Sequence, residues 1–144
     1  MLIGHYNHII DNKKRLSIPS KWRNYFGEKV IVTTGLDKSL FVFGEKEWEN
    51  IASDISKNGF LNIDERNFSR FILSNAYELS FDSHGRVLLP EALTQFAGLA
   101  GEVVLSGVYD RCEIWDKVAF DKMMNSINAA SADIALRLAK NVKE

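Results

Sequence analysis

Short apolar stretches separated by polar turns recur along this chain, and they predict eight strands. The first half predicts strands at residues 6–10, 15–18, 29–34 and 39–43, and the second at 77–81, 86–89, 102–106 and 112–115. The strands come in the same order in both halves. The hydrophobic pattern therefore predicts two copies of one small module.

Helices are predicted between and after these strands. Pro19 and Pro90 stand where a short helix begins, because the first turn of a helix does not need the N–H that proline lacks. Gly27 and Gly98 follow as C-terminal stops. The helix that closes the first copy has its apolar face at Trp48, Ile51, Ala52 and Ile55.

The segment 56–76 joins the two copies. A Lys-Asn-Gly sequence at residues 57–59 is predicted to end one helix, and Asp64 to cap the next. Arg66 and Arg70 lie one turn apart on that helix. They suit a solvated face or a salt bridge to an acidic partner. The alanine-rich tail after residue 127 is helical by pattern.

A shift of 71 positions aligns the beginnings of the two copies. It places Asp82 on Asp11, Arg86 on Arg15, Pro90 on Pro19 and Gly98 on Gly27. Beyond Gly98 a shift of 72 places residues 103–107 on residues 31–35, and Cys112 on Leu40. The duplicated unit is a polar turn, an arginine, an aliphatic strand and a proline.

The composition bounds the class of protein. The chain has 144 residues, 46% of them hydrophobic, and a formal net charge of -1. These values suit one compact domain or two small, closely packed ones. Cys112 is the single cysteine, which excludes an intrachain disulfide. No run of roughly 18 apolar residues occurs, so we expect a soluble cytosolic protein without membrane contact.

The two turns carry the most informative chemistry. In the second, Asp82 can accept backbone N–H bonds, Gly85 can adopt a positive φ, and Arg86 begins the outgoing strand. An arginine at a hairpin tip can pair with a guanine edge or a phosphate, and a two-stranded ribbon fits the DNA major groove. A local salt bridge is the alternative for one such turn, but duplication favours a binder of repeated or symmetric sites.

Charge is distributed unevenly. Residues 1–30 contain Lys13, Lys14, Arg15, Lys21, Arg23 and Lys29, against Asp11 and Glu28. Phosphate binding depends on local charge rather than on the net charge, but a chain close to neutral binds weakly unless several copies act together. The composition therefore favours a homo-oligomer that displays many arginine turns.

Catalysis has little support in the sequence. His5, His8 and His84 lack metal-ligand spacing, and no nucleophile motif or glycine-rich phosphate loop occurs. Cys112 aligns with an aliphatic strand position and is predicted to be a core or partly buried strand residue rather than a nucleophile. We expect no enzyme activity, small-molecule substrate, metal or cofactor.

The units at residues 11–19 and 82–90 resemble the paired signature of the MraZ family, within the AbrB-like swapped-hairpin proteins. The family pattern is Asp-x-x-Gly-Arg, two or three aliphatic positions and then Pro, and the second unit matches it throughout. The resemblance covers nearly the whole chain. It implies a bacterial, nucleoid-associated transcriptional regulator that binds double-stranded DNA at direct repeats upstream of a division and cell-wall gene cluster. Such proteins typically assemble into rings.

The resemblance also implies roles for individual residues. Arg15 and Arg86 would contact DNA, supported by Lys13, Lys14 and His84. Asp11, Asp82 and Gly85 would form the turns. The first unit departs from the pattern, because Lys14 stands where the family has glycine. A left-handed lysine costs about 1 kcal/mol. Either that turn takes another shape, or the added charge binds phosphate and offsets this cost.

The resulting fold prediction is α+β, with two intertwined AbrB-like swapped-hairpin modules related by a pseudo-two-fold axis. The modules would span residues 5–47 and 76–119, with connecting helices at 48–75 and C-terminal helices at 120–144. The predicted function is sequence-specific DNA binding that represses transcription. The alternatives are an oligomeric scaffold that binds a protein partner without DNA and, ranked below it, an antitoxin-type AbrB relative.

Overall fold

The computed structural model describes residues 1–57 and 60–143. The described elements are β1 (His5–Ile9), β2 (Arg15–Ser17), α1 (Ser20–Phe26), β3 (Lys29–Thr34), β4 (Leu40–Phe43), α2 (Glu45–Lys57), α3 (Ile63–Leu73), β5 (Tyr77–Ser80), β6 (Arg86–Leu88), α4 (Glu91–Ala97), β7 (Glu102–Gly107), β8 (Cys112–Asp116) and α5 (Lys117–Lys143). The α+β class is confirmed. All eight predicted strands form, and their ends differ from the prediction by at most one residue.

Proline and glycine delimit the two short helices, but the prolines precede the first helical turn, in which they were predicted to lie. Pro19 and Pro90 are the N-caps of α1 and α4, one residue before the first helical turn. Gly27 and Gly98 end these helices at φ values of 84° and 64°, which a residue with a Cβ rarely adopts.

Two helix predictions need correction. The side chain of Asn62, not Asp64, caps α3, because its oxygen accepts the N–H groups of Asp64 at 2.8 Å and Glu65 at 3.3 Å. The predicted C-terminal helices form one helix, α5, which begins at Lys117 directly after β8. The predicted helix stop at Asn58 and Gly59 lies outside the described residues.

Both sheets combine strands of the two copies. The six-stranded antiparallel sheet has the order β1-β7-β8-β4-β3-β5, and β2 pairs with β6 in a separate two-stranded ribbon. The first strand of each copy thus pairs with the third strand of the other, β1 with β7 and β5 with β3. Two pairs join equivalent strands, β2 with β6 and β4 with β8.

The strand register corrects the alignment of the two copies. Val104 pairs with Trp115 in the second copy as Ile31 pairs with Phe43 in the first, so residues 102–107 correspond to 29–34, a shift of 73. A shift of 72 is correct only from β4 and β8 onward. The slip of one residue matters because neighbouring strand residues face opposite sides of the sheet.

The larger hydrophobic cluster of the described residues contains side chains of both copies. Val30 and Val32 of β3 lie in it together with Val103 and Leu105 of β7, as the corrected register requires. Leu16 and Val87, the middle residues of the ribbon strands, are 0% and 1% exposed and fix the ribbon onto this core. Burial of each such aliphatic side chain stabilises the fold by about 1.5–3 kcal/mol.

The long helices cover other parts of the sheet. Phe120 of α5 packs with Val104 and Trp115 in a second, smaller cluster. The hydroxyls of Thr33 and Thr34 on β3 donate to carbonyl oxygens at the end of α3, at 2.6 and 2.7 Å. None of the described helices is both long and apolar enough to cross a membrane.

Candidate functional site

The turn between β1 and β2, residues 11–15, is called the first tip. The Oδ1 atom of Asp11 accepts the backbone N–H groups of Lys13 at 3.0 Å and Arg15 at 2.8 Å. Its Oδ2 atom accepts from Arg15 Nε at 2.7 Å. One carboxylate therefore closes the turn and also orients the arginine that follows it.

The turn between β5 and β6, residues 82–86, is called the second tip, and its bonds match those of the first. Asp82 Oδ1 accepts the N–H groups of His84 and Arg86, both at 2.9 Å. Asp82 Oδ2 accepts from Arg86 Nε at 2.8 Å. The local salt bridge between aspartate and arginine, which the sequence offered as the alternative for a single turn, is present in both turns.

Lys14 does not change the shape of the first tip. Its φ is 67°, and Gly85 has a φ of 75° at the equivalent position. The Lys14 N–H donates to the Asp11 carbonyl at 3.0 Å, as the Gly85 N–H does to the Asp82 carbonyl at 3.0 Å. The first turn therefore does not take another shape, and Lys14 adopts the left-handed conformation.

Both aspartates favour the ionised state. The backbone N–H of Arg86, then its side chain and the N–H of His84, lower the pKa of Asp82 from its ordinary 3.8 to about 2, against an opposing effect of desolvation. Arg15 N–H is likewise the main cause that lowers the pKa of Asp11. Each arginine is therefore held by a carboxylate that stays charged at neutral pH.

The terminal nitrogens of the two arginines remain available. In residues 1–57 and 60–143, the side-chain hydrogen bonds of Arg15 and Arg86 use Nε alone. Their side chains are 34% and 28% exposed. A guanidinium fixed at Nε can still present its two terminal nitrogens to a planar acceptor.

The ribbon places both arginines on one face. Arg15 pairs with Leu88 and Ser17 with Arg86, so these four residues share the side opposite the buried Leu16 and Val87. We call these four residues the ribbon face. Along the ribbon, the two arginines lie two residue positions apart, a distance of roughly 7 Å. The tips lie at opposite ends of the ribbon, because β2 and β6 are antiparallel.

The remaining predicted site residues lie in the tips. Lys13 and His84 are exposed, and the His84 ring lies 3.3 Å from the Ser83 hydroxyl. Gly85 is buried, although it belongs to a turn. The Arg23 guanidinium covers it, a contact that sequence reasoning missed. Arg23 and Gly85 belong to different copies, so only the pairing of β2 with β6 brings them together.

The potential metal-ligating side chains of the described residues do not form a second site. The described residues contain no group of three or more side chains that could hold a metal. Cys112 is fully buried, as predicted, and desolvation raises the pKa of its thiol well above 9.0. His5 packs against Phe120, with ring centroids 5.3 Å apart.

Comparison with known proteins identifies relatives over nearly the whole chain. The family model described as "MraZ protein, putative antitoxin-like" matches twice, at residues 1–71 and 72–142. A protein of Carboxydothermus hydrogenoformans is 44% identical over 138 residues, which is 96% of both chains. A protein of Acetivibrio thermocellus is 39% identical over 139 residues, 96% of this chain and 97% of its own. Both relatives are named "Transcriptional regulator MraZ". The chain therefore belongs to the MraZ family.

Proposed function

We propose that this protein is a DNA-binding transcriptional regulator, and that the ribbon face is its DNA contact. One observation carries the proposal: Arg15 and Arg86 stand on one solvent-facing side of a two-stranded ribbon, each oriented by an ionised aspartate. The names of the relatives agree with this function.

The dimensions of the ribbon suit the DNA major groove, which admits two antiparallel strands. The spacing of roughly 7 Å between the arginines corresponds to about two base-pair steps. Each guanidinium would pair with the N7 and O6 atoms of a guanine, or with a phosphate. Lys13, Lys14 and His84 would contact the backbone beside the two tips.

The pairing of strands between the copies supports the finer fold assignment, two intertwined AbrB-like swapped-hairpin modules. In it, β1 and β5 each leave their own copy to pair with β7 and β3 of the other. The modules would occupy residues 5–47 and 76–119, separated by 48–75 and followed by 120–144.

The net charge of the subunit favours a homo-oligomer. A subunit with a net charge of -1 and two arginine tips offers few phosphate contacts. A ring of identical subunits would engage several promoter repeats at once and gain affinity through effective concentration. We propose that such an oligomer acts in the cytoplasm, associated with the nucleoid, and represses a division and cell-wall gene cluster.

The test begins by selecting genomic fragments that the wild-type protein binds, and then measures affinity by mobility shift. Arg15→Ala and Arg86→Ala should each weaken binding to the selected fragment by about tenfold or more, because a good bidentate contact contributes about 1–3 kcal/mol. Arg137→Ala removes the same charge from the exposed surface of α5 and serves as the matched control.

Salt dependence provides a second measure. The affinity of the wild-type protein should fall steeply as salt rises, because bound phosphates release counterions. If no genomic fragment is retained at low salt, the proposal fails. The protein-binding scaffold would then be favoured, with the arginines pairing to acidic surfaces of a partner.

A further inference from the structure

Helix α1 of the first copy extends to the second tip. Arg23 lies in this helix, and its Nε donates to the carbonyl oxygen of Ile18 at 3.1 Å. The guanidinium lies directly over Gly85. A Cβ built at Gly85 would come within 2.7 Å of Arg23 Nε and would overlap Arg23 Cζ and Nη1. Gly85 thus provides a left-handed turn and also the space that Arg23 occupies.

The terminal nitrogens of Arg23 have no hydrogen-bond partner in the described parts of the chain, and its side chain is only partly buried. Arg23 lines an open groove of about 520 Å³, which Lys29, Glu28 and Asp82 also border. Lys29 is paired with Glu78 at 2.8 Å, and Asp82 with Arg86 at 2.8 Å. In the part of the chain that the structure describes, Arg23 is thus the cation of this groove that forms no salt bridge with a carboxylate.

The two copies have different residues at two equivalent positions near the tips. The shift of 71 aligns Gly85 with Lys14 and Arg23 with Thr94. The backbone hydrogen bonds around these positions are equivalent. The Ile18 N–H donates to the Gly85 carbonyl at 3.2 Å, and the Leu89 N–H donates to the Lys14 carbonyl at 2.9 Å. The first tip carries its extra cation in the turn itself. The second receives one from the neighbouring helix.

We propose that Arg23 is a phosphate-binding residue of the second tip and the counterpart of Lys14 at the first. The inference rests on the proposed DNA-binding function and adds a residue to it. Arg23 would clamp a backbone phosphate that lies in the groove, while Arg86 on the ribbon face contacts the bases. Each tip then combines one arginine held by aspartate with one cation free to bind phosphate.

The test compares Arg23→Ala with Lys21→Ala. Both substitutions remove one positive charge from α1, but Lys21 is exposed and is not among the atoms closest to Gly85. Binding to a genomic fragment selected with the wild-type protein is followed by fluorescence anisotropy at several salt concentrations. A fragment of unrelated sequence is measured in parallel.

Arg23→Ala should weaken binding to both fragments by about tenfold, because a phosphate contact carries no sequence information. It should also lower the slope of log affinity against log salt by about 0.9 for each engaged tip. Lys21→Ala should leave both quantities close to those of the wild-type protein. Arg23→Lys keeps the charge and should preserve most of the slope.

Three outcomes would count against the inference. If the wild-type protein binds and Arg23→Ala behaves as Lys21→Ala does, Arg23 has no role, while the proposed function stands. If Arg23→Ala loses affinity with an unchanged salt slope and a lowered unfolding temperature, Arg23 only supports the fold through Ile18. If the wild-type protein itself binds neither fragment, the proposed function fails first.

Discussion

Lys14 and Gly85 adopt the same left-handed backbone conformation, at φ values of 67° and 75°, in turns with matching hydrogen bonds. The conformation is easy for glycine and strained for lysine. A strained residue is retained when its surroundings determine its conformation. Here the two neighbours of Lys14 determine its conformation, because the backbone N–H groups of Lys13 and Arg15 both donate to Asp11 Oδ1.

Replacing Lys14 by glycine should therefore stabilise the fold. We expect Lys14→Gly to raise the free energy of unfolding slightly, by up to about 0.5 kcal/mol, which is the relief of strain less the extra entropy of an unfolded glycine. Denaturant unfolding measures the change. Gly85→Ala is the opposite experiment and should destabilise the protein, because the new Cβ would meet both an unfavourable φ and Arg23. A destabilised Lys14→Gly protein would contradict this explanation.

The second tip should lose stability in acid. Because the pKa of Asp82 is about 2 in the folded protein and 3.8 ordinarily, its contribution is complete above pH 3.8 and disappears as pH falls toward 2. The difference in unfolding free energy between the wild-type protein and Asp82→Asn should shrink across this window. An NMR titration of the Asp82 carboxyl measures its pKa directly. A midpoint near 3.8 would mean that the bonds from Arg86 do not hold in solution.

The cap of α3 should belong to Asn62. Asn62→Ala removes the acceptor of two backbone N–H groups and should cost about 1 kcal/mol of stability. Asp64→Ala changes a neighbouring acidic residue of the first turn and should cost less, because it removes only a favourable interaction with the helix dipole. Thermal unfolding of both variants decides between the two caps, and a larger loss for Asp64→Ala would assign the cap to that residue.

Cys112 should be chemically inert in the folded protein. Its side chain is fully buried, and desolvation favours the protonated thiol, which is a poor nucleophile. Mass spectrometry should find no alkylation by iodoacetamide under native conditions and complete alkylation in denaturant. Rapid native labelling would show that the junction of β4 and β8 opens to solvent.

Much of the fold could be predicted because its signals are local. Prolines before helices, glycines after them and short apolar stretches each act within a few residues, so every predicted strand formed. The arginine turns were also predictable, since Asp82 and Arg86 make their bonds within five consecutive residues. Asn62 was missed because Asn and Asp are almost equally good caps, and two residues of the right kind stood close together.

The register of β7 could not be predicted in this way. The sequence alignment placed Gly107 on Gly35, because glycines often mark corresponding turns. In the structure Gly107 is the last residue of β7 and corresponds to Thr34. The turns that follow differ in length, with residues 35–39 in the first copy and 108–111 in the second. Arg23 was missed for a related reason, since its contact with Gly85 depends on how the copies interlock.

The pairing of β1 with β7 also determines when the protein can fold. Synthesis on the ribosome proceeds from the N-terminus, so β1 emerges early and its partner at residues 102–107 comes late. Such distant contacts slow folding, because a long loop must close before they form. The nascent chain therefore carries the β1 segment without its partner strand through most of its translation. Interruption of synthesis before residue 102 would leave that segment unpaired and prone to aggregate.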